Sequence, residues 1–276
     1  MSLRSPGYDR SSYATTTLFA ARDWIAGRMQ AEGLTVSTPN FTMNSPGGSI
    51  TRQNVLGMWT GTVTPNEWII VGAHYDSRNG NANSTTGTPG AEDNASGCAG
   101  VLELARVLVP RQPGRSLLFM CYAGEEQGLL GSAAHVQSLT TNNHLARVQA
   151  VVIMDMIGYS ADTQLQALYE SEPEFLSYMQ RFGAAASTYV PQLNVVYSTN
   201  PFGSDHMPYL NAGVQTLLAI EDDWDIYGHY HRSTDTPANM GPNAQAMGGA
   251  ILKTNAAVLA ELAGLLPPAM FSDGFE

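Results

Sequence analysis

Residues 68–76 read Trp68-Ile69-Ile70-Val71-Gly72-Ala73-His74-Tyr75-Asp76, and this stretch decides the architecture. Trp68 to Ala73 is an almost unbroken apolar run, as a strand covered on both faces requires. It ends abruptly on a histidine and an aspartate. Residues 116–122, 150–154 and 214–220 repeat the pattern of a short apolar run. Helical periods lie between these runs. Asp93 or Asn94 opens a helix through Val101, Leu102, Leu104, Ala105 and Leu108, ended by Pro110. Residues 172–186 and 244–265 carry two more, and Ser11 or Ser12 caps a first helix whose apolar face holds Leu18, Ile25 and Met29. Residues 54–60 and 165–169 read as further strands, as do 34–43, where Pro39 indicates an edge position. Strands alternating with helices predict an α/β fold. The expectation is one globular domain around a central, mostly parallel mixed sheet with helices on both faces. In such sheets, sites collect beyond the carboxyl ends of the strands.

That rule selects residues. His74 and Asp76 follow the first run. Glu125 and Glu126 follow 116–122 within Gly124-Glu125-Glu126-Gln127-Gly128, and Asp155 follows 150–154. Asp93 lies at a helix start in Gly90-Ala91-Glu92-Asp93-Asn94-Ala95-Ser96-Gly97. A polar loop before the last helix contains His229-Tyr230-His231-Arg232-Ser233-Thr234-Asp235-Thr236. Singly, each has a plain structural reading: a polar strand end, a helix N-cap, a solvated acidic pair, a turn cap, a loop histidine. Together they read differently. Adjacent carboxylates directly after a buried strand repel each other unless a cation sits nearby. A carboxylate two residues beyond a histidine can fix its ring and tautomer. Mixed nitrogen and oxygen ligands without cysteine suit zinc, and a bridging carboxylate lets two ions share a site. One carboxylate is then left to act as general base. The pattern favours metal-dependent hydrolysis.

Composition narrows the class. The 276-residue chain is 43% hydrophobic, enough for one large core. Its net charge of −11, with no cluster of Lys or Arg, argues against nucleic acid and against an anionic membrane surface. No apolar run reaches the ~18–20 residues of a membrane span. Charged residues make up only 13%, their place taken by Ser, Thr, Asn and Gly. That composition points to a secreted or periplasmic protein. Cys98 and Cys121 are either two buried free thiols or one bridge joining a helix to a strand. Residues 1–10 read as an expression leader and N-terminal arm, 11–266 as the functional domain, and 267–276, after Pro267, as a C-terminal tail.

The ordered set His74-x-Asp76, Asp93-Asn94-Ala95-Ser96-Gly97, Glu125-Glu126-x-Gly128-x-x-Gly131-Ser132, Asp155-Met156 and His231-x-x-x-Asp235-Thr236 resembles the secreted bacterial leucyl aminopeptidases. These are di-zinc exopeptidases of peptidase clan MH, the aminopeptidase S/Y family, and the likeness runs over about residues 15–265. The resemblance implies a phosphorylase/zinc-exopeptidase-like fold and two Zn2+ ions bridged by Asp93. His74 and Asp155 would complete one metal site, and Glu126 and His231 the other. Glu125 would be the general base acting on a zinc-activated water, Tyr230 an oxyanion donor, Asp76 the partner of His74, and Ser204 the support of a metal ligand. The Asp93–Asn94 peptide would be cis. Substrates would be peptides with a free N-terminus and an apolar first residue such as Leu or Met. Met156, Ile157, Phe202, Met207 and Tyr230 would line that pocket, and the enzyme would be a monomer.

Some members carry a tyrosine in a short disulfide loop where this chain has Thr199-Asn200-Pro201-Phe202-Gly203. The oxyanion role therefore falls on Tyr230 or on no side chain. Two other chemistries remain open on the same fold. One is a glutaminyl cyclase-like transferase with one zinc on Asp93, Glu126 and His231. The other is a carboxypeptidase or dipeptidase using Arg78 or Arg232 as a carboxylate clamp. A non-catalytic relative is disfavoured because neither the base nor a ligand is missing. His229 and the acidic stretch from Glu221 to Asp225 read as solvated, and His206 as structural or substrate-lining.

Overall fold

The computed structural model describes residues 9–81 and 83–265. Most of the expected N-terminal leader and the tail at 267–276 lie outside the described residues. In chain order the main elements are α1 (Thr16–Ala31), β1 (Thr35–Ser37), β2 (Asn40–Ser45), β3 (Gly48–Gln53), β4 (Val55–Trp59), β5 (Thr64–His74), α2 (Gly97–Leu108), β6 (Arg115–Tyr122), α3 (Leu130–Thr141), β7 (Val148–Met154), β8 (Gln166–Glu170), α4 (Leu176–Tyr189), β9 (Asn194–Ser198), α5 (Met207–Asn211), β10 (Thr216–Glu221) and α6 (Ala244–Leu262).

The large sheet runs β1-β4-β6-β5-β7-β10-β8-β9. Its centre, β6-β5-β7-β10, is parallel, and antiparallel pairings of β4 with β6 and of β8 with β10 flank it. This is the α/β, mixed, mostly parallel sheet the apolar runs predict. Alternate residues of the central strands feed two separate cores. Ile69, Val71, Phe119, Val152, Tyr169 and Leu217 pack on one face with α1, α2, α4 and α6. Ile70, Leu118, Met120, Val151, Leu218 and Tyr209 pack on the other, with α3 and α5. Both faces are therefore dry, which is why these strands carry no polar alternation.

Several local expectations are corrected. Residues 34–43 do not form one strand. Pro39 falls between β1, which pairs antiparallel with β4, and β2, which makes a separate hairpin with β3. Pro lacks the N–H needed to continue the ladder. Neither Ser11 nor Ser12 caps α1, which begins after Thr15. The Ser12 hydroxyl is instead drawn into the core, donating to Asp76 Oδ2 at 2.9 Å. Asp93 is no N-cap either. Its backbone is non-helical (φ −107°, ψ 94°), and the regular helix α2 starts four residues later. Cys98 and Cys121 are buried and free. Among the described residues, no helix is long and apolar enough to cross a membrane.

Candidate metal centre

Three adjacent parallel strands end at one edge of the sheet and deliver His74 (β5), Glu125 and Glu126 (just past β6) and Asp155 (just past β7). The segment Ala91–Ser96 crosses this edge and is pinned from both sides. Asp235 accepts the Glu92 amide on Oδ1 (2.9 Å) and the Asp93 amide on Oδ2 (3.0 Å). Asn94 donates through Nδ2 to Met154 O (2.9 Å) and accepts the Met156 amide on Oδ1 (3.2 Å). The Asp93–Asn94 peptide is cis. These contacts hold the Asp93 carboxylate between two imidazoles. His74 Nε2 is 3.3 Å from Oδ1, and His231 Nε2 is 3.0 Å from Oδ2. His231 arrives from the polar loop with φ +53°, a left-handed backbone that turns its ring inward.

Two groups of ligand atoms result, each gathered within 4.8 Å: His74, Asp93 and Asp155, and Asp93, Glu126 and His231. Asp93 belongs to both. His74 Nε2 lies 3.4 Å from Asp155 Oδ1, and His231 Nε2 lies 3.2 Å from Glu126 Oε2. The Glu125 carboxylate is beside them, 3.9 Å from His74 Nε2, and is not a member of either group. Ser204 Oγ donates to Asp155 Oδ2 at 2.7 Å. Tyr230 stacks on the His231 ring, centroids 3.8 Å apart and planes at 24°, and lines the cavity in front of the carboxylates.

Asp76 meets His74 chiefly through its main chain. The acceptor nearest His74 Nδ1 is the main-chain oxygen of Asp76, at 3.1 Å, whereas the carboxylate Oδ1 is at 3.6 Å. That carboxylate is committed elsewhere, to Ser12 Oγ and to the Glu125 amide (3.3 Å). It fixes the loop that carries the acidic pair. The cavity has a volume of about 320 Å³. Met156, Phe202 and Tyr230 line it as the sequence suggests; Ile157 and Met207 do not, and Leu168, Glu170, Leu218, Ile220 and Trp224 take part instead. His229 is half-buried, not fully solvated, its Nδ1 2.8 Å from Thr234 Oγ1. His206 is buried with Nε2 3.3 Å from Glu170 Oε1. Sequence reading gave no role at the site to Ser12, Asn94, Asp235 or Glu170, whose contacts span 32 or more residues; of these, Asn94 and Asp235 lie within the quoted motifs.

The electrostatics show a site short of positive charge. Burial pushes the Glu126 carboxyl up to about 8, with the Asp93 charge adding to the effect. Burial likewise raises Glu125 well above the carboxylate range against the pull of His74, with Glu126 and Asp155 adding to the rise. Burial alone would lower His231, yet Asp93 and Glu126 lift it to about 9. Asp93, despite its burial, is held below the ordinary range by His231 and His74. In addition, buried His74 Nε2, Asp93 Oδ2, Glu126 Oε1 and Asp155 Oδ1 make no hydrogen bond. Unpaired ligand atoms from both residue types, converging in two groups on one carboxylate, fit a pair of divalent cations.

Fold and site together define an α/β protein with two overlapping groups of potential metal ligands at the carboxyl ends of its central strands. The model of Peptidase family M28 matches residues 54–255, and the chain belongs to that family. A curated relative from Pyrenophora teres f. teres, named a probable zinc metalloprotease, is 30% identical over 266 residues, covering 81% of this chain and 54% of its own. The chain thus spans about half the length of the first curated relatives it matches. Among solved structures, the zinc aminopeptidase BSAP from Bacillus subtilis superposes with a TM-score of 0.78 at 18% identity, covering 99% of both chains. The glutaminyl cyclase of Macrostomum lignano gives the same TM-score at 18% identity, over 92% of this chain and 85% of that one. At such identities both establish the fold and neither decides the reaction.

Proposed function

We propose that this protein is a zinc-dependent aminopeptidase with two metal sites bridged by Asp93. The observation that carries the reading is the pair of three-residue ligand groups sharing Asp93, with Glu125 left outside both. His74 and Asp155 complete one site; Glu126 and His231 complete the other. Zinc bound there would supply Lewis acidity, lowering the pKa of water from 15.7 towards roughly 7 and polarising a carbonyl.

The chain's own residues do the rest. Glu125 takes a proton from the attacking water and returns it to the leaving amine, and its burial keeps the protonated form accessible in mid-reaction. Ser204 fixes the Asp155 carboxylate. Tyr230, at the cavity wall, is the side chain available to donate a hydrogen bond to a developing oxyanion. Asp93, Glu125, Glu126 and Asp155 face one cavity and attract the α-ammonium of a free N-terminus. The names of the M28 relatives support hydrolysis of peptides. Composition and family support a secreted or periplasmic monomer.

The test uses purified protein loaded with zinc. Aminoacyl p-nitroanilides, which have a free N-terminus and a blocked C-terminus, should be cleaved, and a chelator should abolish cleavage. One zinc per chain together with pyroglutamate formation from an N-terminal glutamine would establish the cyclase reading instead. Cleavage only of substrates with a free carboxylate would point to a clamp such as Arg78, which lines the cavity 3.9 Å from Glu126.

A further inference from the structure

The cavity in front of the metal ligands extends over the open face of the β8–β10 pair. Leu168 and Glu170 of β8 point to this face, whereas Ala167 and Tyr169 alternate into the opposite core. The antiparallel register sets Leu218 opposite Glu170 and Ile220 opposite Leu168, so the floor is three aliphatic side chains and one carboxylate. Phe202 and Trp224 form an apolar rim, ring centroids 5.9 Å apart. The rim is tied to the metal centre, because Ser204, two residues from Phe202, donates to Asp155. A first side chain entering from the scissile bond therefore meets this floor.

Glu170 is an anomaly in such a pocket. It is only 2% exposed. The Phe202 amide donates to Oε1 at 3.0 Å, and His206 Nε2 lies 3.3 Å from the same oxygen. Among the described residues, no hydrogen bond is made to Oε2. A carboxylate accepts through both oxygens, and an aliphatic ligand would cover the free oxygen with hydrocarbon, leaving it unpaired. An ammonium or guanidinium on a flexible apolar stem would lay the stem along Leu168, Leu218 and Ile220 and satisfy Oε2.

We infer that Glu170 makes this pocket select a first residue ending in a cation, lysine or arginine, over the apolar residues the family resemblance suggests. The inference rests on the aminopeptidase reading. Its test compares kcat/KM for the p-nitroanilides of lysine, arginine, leucine and norleucine on the zinc-loaded protein. Norleucine matches the lysine stem and lacks its charge. Lysine should exceed norleucine at least about tenfold, because a site built to pair a polar group penalises the analogue lacking it. Glu170→Gln should lower the lysine-to-norleucine ratio of kcat/KM about tenfold or more, as expected when one charge-assisted contact is lost. Norleucine equal to or above lysine in the unaltered protein, a comparison that needs no variant, would overturn the inference alone. An unchanged lysine-to-norleucine ratio in folded Glu170→Gln would do the same. Cleavage of none of the four would overturn the aminopeptidase reading and this inference with it.

Discussion

Removing the Ser204 hydroxyl should weaken one metal site and spare the other. Ser204 is 3% exposed and Asp155 8%, and their contact is a short hydrogen bond of 2.7 Å to a carboxylate ligand. A buried hydrogen bond to a charged group is worth about 1.5–3 kcal/mol. At 1.4 kcal/mol per tenfold, that is about 10- to 150-fold in a dissociation constant, in line with the roughly 10- to 100-fold seen when a ligand's supporting partner is lost. Only Asp155 among the ligands receives this bond, so Ser204→Ala should raise the zinc dissociation constant of the His74–Asp93–Asp155 site and leave the Asp93–Glu126–His231 site within about threefold, the spread of context effects on one interaction. Competition titration against a chromophoric chelator reads both steps. A biphasic curve with one displaced step is expected. Equal weakening of both steps, or less than about threefold weakening of the His74–Asp93–Asp155 step, would refute the assignment of Ser204 to a single ligand.

Three further outcomes follow from particular contacts. Glu125→Gln should retain both metals, because Glu125 belongs to neither ligand group, while kcat falls by about 10²–10⁴; undiminished turnover would remove Glu125 as the base. His135 is buried against the Tyr209 hydroxyl (2.6 Å), and burial lowers its pKa from 6.5 to about 4. Its ring is uncharged when folded and takes up a proton on unfolding below pH 6.5, so it contributes a loss of stability as pH falls from 6.5 to 4. Between pH 7 and 5 that amounts to about 2 kcal/mol, and urea unfolding of His135→Gln should lack this component; parallel pH profiles for the two proteins would contradict it. In Gly97→Ala the new methyl would overlap Asn94 Oδ1 and lie 2.7 Å from Met154 O. That overpacking should cost about 1–3 kcal/mol in thermal or urea unfolding, and a neutral result would mean that Asn94 is free to move.

The central sheet was legible because its strands are buried on both faces, and double burial leaves unbroken apolar runs such as 68–73 and 150–154. The chemistry was legible because polar residues at the ends of such runs have no ordinary reason to cluster. Other parts left weaker marks. β9, half-exposed at the sheet edge (Asn194–Ser198), is short, and its Val195, Val196 and Tyr197 are consecutive and do not alternate with polar residues. α3 (Leu130–Thr141) mixes Gly, Ser and Thr into a helix with no capping side chain. The pocket floor was hidden for a different reason. Leu168, Leu218 and Ile220 alternate as core residues do, and nothing local says that this face opens onto a cavity. Glu170 fell just past the strand read at 165–169 and drew no assignment, because its neighbours Phe202 and His206 lie 32 and 36 residues away. The Asp76 carboxylate was placed on His74 by proximity in sequence, but Ser12 and the Glu125 amide compete for its oxygens from opposite sides of the fold.

The most direct measurement counts and locates the zinc. Elemental analysis of the protein as purified with zinc, followed by anomalous diffraction at the zinc edge, should give two ions per chain, ~3.5–4 Å apart on either side of Asp93. Asp93→Asn should release both ions together. One ion held by Asp93, Glu126 and His231, with His74 and Asp155 bare, would contradict the bridged di-zinc centre.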